Sequence, residues 1–291
     1  MEHLVTTEWL AKEIGASDLR VVDATKFLPD MNRDARGEYE GGHIPGAIFM
    51  DLADLIDSNS DVENTVPPPE KFASRMQSLG LGDGSRIVLY DDSPLKSAAR
   101  AWFLLNMFGV HDVAILDGGM AKWRAEGREL QSGAGALRHR HFTVWPDNSK
   151  LRSKADMLAN LDSKAELVVD ARPAARFTGA EAEPRPGMAA GHIPGSCNVP
   201  HGQMFNADGT WKQGGDLRAA FTSAGVDLTR PIVTSCGSGM TGAVLLFGLR
   251  LLGKNDLALY DGSWAEWGMD PNTPKQTGAS TRPVDGGSPL A

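Results

Sequence analysis

The chain has 291 residues, too many for one ordinary core and enough for two domains of usual size. Hydrophobic residues make up 41% and charged residues 23%, the mix of a folded chain rather than a disordered one. With 29 Lys and Arg against 37 Asp and Glu, the net charge of −8 argues against a general nucleic-acid binder. No apolar run approaches the ~20 residues of a membrane span, and MEHLVTTEWLAKEIGA has no basic stretch leading into an apolar one. A cytoplasmic location away from membranes is therefore expected. Cys197 and Cys236 are too few for a disulfide framework or a four-thiolate zinc site, so a reducing compartment with no metal and no cofactor is the reading.

Along the chain, three segments occur twice in the same order, roughly 145 to 150 residues apart. VVDATKF from Val21 returns as VVDARPAARF from Val168, GHIPGA from Gly42 as GHIPGS from Gly191, and DGGMAKW from Asp117 as DGSWAEW from Asp261. Within each copy, short β-branched runs alternate with longer helical patterns. RIVLY and PIVTS read as buried strands, and SAARAWFLLNMFG and TGAVLLFGLRLLG as the helices that follow them, each closing on a glycine. Such alternation predicts an α/β fold, a parallel sheet flanked by helices in each of two tandem domains, with ligands beyond the carboxyl ends of the strands. The domains are expected over residues 1–135 and 151–271, joined by a polar linker at 136–150. The tail from Asn272 to residue 291, rich in Pro, Gly, Ser and Thr, is expected to be flexible.

Cys236 lies between the strand PIVTS and the helix TGAVLLFG, at the ligand-facing edge. Gly237, Gly239 and Gly242 let the backbone curl so that successive N–H groups converge on one centre, a cradle for a thiolate or for Cys–S–S⁻. A lone cysteine is more often a small buried hydrophobe, but such a cysteine needs no glycines on the next turn. Cys197 lacks that setting and reads as core. Aligning RIVLYDDSPLKS with PIVTSCGSGMTG sets Asp91 opposite Cys236 and Lys96 opposite Thr241, so the first copy lacks the nucleophile. His43 and His192 of the GHIPG motifs occur in both copies and read as structural, as do Asp117 and Asp261 of the DG turns.

The tandem repeat, the paired GHIPG and DG-x-x-A-x-W motifs and the CGSGMT loop resemble the rhodanese family, from about Leu4 to Pro271. The resemblance implies a sulfurtransferase whose second-domain cysteine, here Cys236, carries sulfur as a persulfide to a thiol or cyanide. Members that use thiosulfate resemble CRKGVT, whereas CGSGMT resembles the branch that takes sulfur from 3-mercaptopyruvate and releases pyruvate. Thiosulfate is the alternative donor, and a sulfur-binding or regulatory module without catalysis ranks lower. By the same resemblance, Arg176 and Arg185 hold the substrate carboxylate and carbonyl. Gly237, Ser238, Gly239, Met240 and Thr241 line the site, and Ser238 assists catalysis. Reduced thioredoxin or a small thiol would collect the sulfur. Members that use 3-mercaptopyruvate carry a Ser–His–Asp relay in which Ser238 matches the serine and Asp51 lies near the acid, but Asn64 stands at the histidine position and leaves the relay without its base. Arg172 reads as structural.

Overall fold

The computed structural model describes residues 1–135 and 137–280. The first copy builds a sheet from β1 (Leu4–Val5), β2 (Leu19–Asp23), β3 (Ile48–Phe49), β4 (Arg86–Tyr90) and β5 (Val113–Leu116), in the order β1-β5-β4-β2-β3. The second repeats it with β6 (Leu151–Arg152), β7 (Leu167–Asp170), β8 (Cys197–Asn198), β9 (Ile232–Ser235) and β10 (Leu257–Tyr260), in the order β6-β10-β9-β7-β8. Every pairing is parallel. The carboxyl ends of each sheet therefore share one edge. RIVLY forms β4 in full, and its four last residues are buried, as a strand covered on both faces requires. No helix among the described residues is long and apolar enough to cross a membrane.

The helices read after β4 and β9 span Ala98–Met107 and Gly242–Leu251. Both are apolar nearly all round because they pack against their own sheet and against each other. Trp102 meets Phe247 edge to face at 5.0 Å, and Trp211 leans on Phe247 at 4.8 Å. One apolar cluster consequently runs through both halves, from Val22 and Ile87 to Ile232 and Leu259. The boundary between the copies is a buried seam rather than a hinge.

Two expectations about connecting segments change. Residues 272–280, read as part of a flexible tail, are fastened down. His192 and Gln276 exchange backbone hydrogen bonds of 2.8 and 3.0 Å, and the Gln276 side chain accepts from the Gly195 N–H. Thr273 is buried, and Trp267 donates its indole N–H to the Pro274 carbonyl. Hydrogen-bonding demand outweighs the low apolar content here, because the GHIPG backbone has no strand partner of its own. Gly191 allows the approach: its φ is +110°, and a Cβ there would sit 2.3 Å from the Gln276 carbonyl oxygen. Residues 281–291 of that tail lie outside the described residues. The first copy uses the same strap, His43 with Gln131, and the following segment read as linker also packs, with Phe142 buried against Phe72.

Both GHIPG histidines are fully buried. His43 Nδ1 meets the Tyr39 carbonyl at 2.7 Å and His192 Nδ1 the Phe177 carbonyl at 2.8 Å, with each ring stacked on that same aromatic residue. Burial lowers the His192 pKa. The repetition in both copies marks them as structural.

Candidate active site

Cys236 follows β9 directly and is 1% exposed. The next strand in the sheet, β7, pairs Asp170 with Ser235, so the segment carrying Arg172 and Arg176 leaves the sheet beside the cysteine loop. Gly239 has φ +74°, and a Cβ there would lie 2.8 Å from the Asp261 carbonyl oxygen, so this turn demands glycine. Gly237 does not: its surroundings hold no atom within 4 Å of a Cβ.

Among the described residues, the N–H groups of Gly237, Ser238, Met240 and Thr241 have no acceptor within the protein, whereas those of Cys236 and Gly239 both donate to Ser263 Oγ at 3.2 Å. The cradle foreseen from the glycines is therefore divided. Two amides fix the loop through Ser263, and the others are left without a partner. Ser263 Oγ donates to the Tyr260 carbonyl at 2.8 Å and lies 3.9 Å from Cys236 Sγ. Ser263 holds φ +51°, where the matching residue of the first copy is Gly119 at +56°. A side chain at a backbone position that favours glycine was the available sequence clue to this residue, and it was passed over.

The first copy shows what such a loop holds. Asp91 places one carboxylate oxygen 2.9 Å from the Ser93 N–H and the other 2.8 Å from the Ala98 N–H. Its own side chain fills the cradle with a fixed acceptor. Burial raises its pKa to about 6 despite those bonds.

Contacts from the first copy complete the surroundings of Cys236. Arg100, 2% exposed, donates to the Gly239 carbonyl at 3.1 Å, to Asp261 Oδ1 at 2.8 Å and to the Asn64 carbonyl at 2.5 Å. The Val66 N–H donates to the other oxygen of Asp261 at 2.6 Å. Asp261, read as a turn residue, thus joins the two domains. Its counterpart Asp117 does the same by accepting from the Trp211 N–H at 2.8 Å. Asn64 Nδ2 donates to Ser238 Oγ at 3.1 Å, and Asn64 Oδ1 accepts from Lys26 Nζ at 2.6 Å.

The remaining candidates fall as follows. Met240, read as lining the substrate site, turns its side chain into the core at 6% exposure, because the helix after the loop buries that face; only its N–H remains for a ligand. Arg185 pairs with Glu63, the residue before Asn64. Arg176 stands 3.8 Å from Glu183, and its buried Nε has no partner. Arg172 is buried against Asp170 and Glu183, a structural setting. Asp51 accepts from the Ala53 N–H and makes no contact with Ser238. Cys197 is buried on β8 with its pKa raised by burial, which suits a core residue.

The family model for the rhodanese-like domain matches residues 6–126 and again residues 153–270. The chain belongs to the rhodanese-like family of sulfurtransferases. It is 39% identical to the 3-mercaptopyruvate sulfurtransferase of Escherichia coli K12 over 271 residues, covering 93% of this chain and 96% of that protein. A thiosulfate sulfurtransferase of Cricetulus griseus is 38% identical over 271 residues, 91% of each chain. The crystal structure of an E. coli 3-mercaptopyruvate sulfotransferase superposes with TM-score 0.83 at 37% identity, covering 91% of this chain and 99% of that one.

Proposed function

We propose that Cys236 is the nucleophile of this sulfurtransferase, that 3-mercaptopyruvate is the sulfur donor, and that a thiol or cyanide is the acceptor. Relatives named for either donor match at nearly equal identity, so overall similarity does not choose between them. The observation that carries the reading is the loop itself: the unpartnered amides of Gly237, Ser238, Met240 and Thr241 surround a cysteine with no charged side chain between Cys236 and Gly242. Amides stabilise a thiolate or persulfide anion through short-range dipoles. A dianion such as thiosulfate gains most from fixed cations, which this loop lacks, whereas a monoanionic keto acid needs its carboxylate held at one point.

Arg185 and Arg176 supply that point. The Arg185 guanidinium is already engaged with the exposed Glu63 carboxylate, so a substrate carboxylate takes over an existing geometry, and the loosely held Arg176 retains donors for the neighbouring carbonyl. The Cys236 thiolate attacks the donor sulfur, and the S–C bond breaks with its electron pair passing to the pyruvate enolate. The proton that was on the donor sulfur moves to the enolate carbon. Cys236 persulfide and pyruvate result, and an acceptor thiol such as reduced thioredoxin then removes the outer sulfur.

Mass spectrometry of the intact protein after incubation with 3-mercaptopyruvate is expected to find one added sulfur on Cys236 and none on Cys197. Pyruvate release by Cys236→Ser at the wild-type rate would overturn the assignment. A higher kcat/KM for thiosulfate than for 3-mercaptopyruvate would replace the donor.

A further inference from the structure

The hydrogen-bond chain ending on Ser238 has a fixed direction. A lysine ammonium offers three donors and no acceptor, so the amide of Asn64 must present Oδ1 to Lys26 and Nδ2 to Ser238. Ser238 Oγ is then an acceptor from within the protein, and its own O–H is left to donate outwards. A Ser–His–Asp relay works with the opposite polarity, drawing the proton off serine. The chain is held rigidly: the Lys26 N–H donates to Ser97 Oγ at 3.0 Å, its carbonyl accepts from Ser93 Oγ at 2.5 Å, and the Asn64 carbonyl accepts from Arg100. Asn64 adopts φ +59°, two residues before Val66; two residues before the matching Trp211, Gly209 has φ +82°. The first copy therefore keeps a side chain at a position where the second uses glycine.

We propose that Lys26 and Asn64 are positioning residues that orient Ser238 as a hydrogen-bond donor to the enolate oxygen formed when the S–C bond of the donor breaks. This rests on the reading of Cys236 and 3-mercaptopyruvate given above. Negative charge develops on that oxygen only in the loading half-reaction. The unloading half-reaction, in which a nucleophile takes the outer sulfur and leaves the Cys236 thiolate, forms no enolate and does not call on the chain. Among the described residues Lys26 makes no ion pair; the charged groups acting on it are Arg100 on one side and Asp51 and Glu63 on the other. Burial, with Arg100, holds its pKa below the usual lysine value.

The test separates the half-reactions in single turnovers. Pyruvate formation from 3-mercaptopyruvate is followed first, and sulfur transfer to cyanide from fully loaded protein second. Lys26→Met and Asn64→Ala are expected to slow loading roughly ten- to hundredfold, as loss of one oriented donor to a developing oxyanion does, while unloading stays within twofold of wild type. Neither substitution should add to the loading defect of Ser238→Ala. Lys26→Arg should restore most of the loading rate and extend it to higher pH, because wild-type loading declines as Lys26 deprotonates and arginine does not. Equal slowing of loading and unloading would reduce the residues to a structural role and overturn the proposal, as would loading unchanged in both variants. Failure of the wild type to load sulfur on Cys236 would overturn the underlying reading along with it.

Discussion

Arg100 of the first copy reaches across the seam and holds Asp261 of the second at 2.8 Å, directly behind the Cys236 loop. The same guanidinium binds the Gly239 carbonyl, so one buried cation fixes both the turn of the loop and the residue that anchors it. The copy that has Asp91 in place of a cysteine thus supports the Cys236 loop.

Removing Arg100 leaves the Asp261 carboxylate buried without its cation, and the carbonyls of Gly239 and Asn64 without their donor. Arg100→Met is expected to destabilise the protein by about 3 kcal/mol, the cost of breaking one side of a buried ion pair, and to lower kcat/KM. Urea denaturation with a donor assay checks both, and Arg100→Met/Asp261→Asn should recover part of the stability.

Ser263 separates strain from bonding. Ser263→Ala keeps a Cβ at φ +51° and leaves the N–H groups of Cys236 and Gly239 unpaired, for an expected loss of about 2 kcal/mol. Ser263→Gly loses the same bonds but relieves the backbone, so it should be the more stable variant while sharing the slower sulfur loading. Thermal denaturation and single-turnover loading distinguish them.

Asp91 sets a pH dependence with an unusual sign for a carboxylate. Its pKa is about 6 in the folded protein against 3.8 for the free group, so between these values the folded state holds the proton more tightly than the unfolded one. Stability that Asp91 contributes at low pH is lost as pH rises through that window. The difference in unfolding free energy between wild type and Asp91→Asn should therefore fall by about 2 kcal/mol from pH 4 to pH 7, as denaturation at a series of pH values would record.

Gly237 is a glycine the fold does not require, since a Cβ there meets nothing within 4 Å and its φ lies outside the left-handed region. Gly237→Arg should fold normally and place a cation on the rim of the cradle. The ratio of kcat/KM for thiosulfate to that for 3-mercaptopyruvate should rise about tenfold, the worth of one added charge-assisted contact.

The duplication, the parallel sheets and the carboxyl-end edge that carries Cys236 were legible because they follow from local periodicity and from a comparison of the chain with itself. The cradle was legible in outline, since Gly239 records a tight turn. Arg100 and the Asn64–Ser238 contact were not, because each joins residues far apart in sequence: Arg100 lies 139 positions from Gly239, and Asn64 lies 174 from Ser238. No local period reports a contact across a seam. Asp117 and Asp261 were read as turn residues because their shared place in both copies suggested a shared local role; their shared role is instead to bind the opposite copy. The segment 272–280 was misread for a related reason: its composition predicts no core, yet its backbone supplies the partner that the GHIPG backbone needs.

The exchange of Asp117 with Trp211 and of Asp261 with Val66 is reciprocal, and this is the geometry of an isologous dimer. A symmetric pair of identical subunits would carry two cysteines, and any change at that position would remove both. Once joined in one polypeptide, the halves could diverge: Asp91 could neutralise one cradle while Arg100, whose place in the other half is taken by the apolar Leu245, became a support for the other. In a single polypeptide the copy that holds Asp91 is free to serve as scaffolding for the copy that holds Cys236.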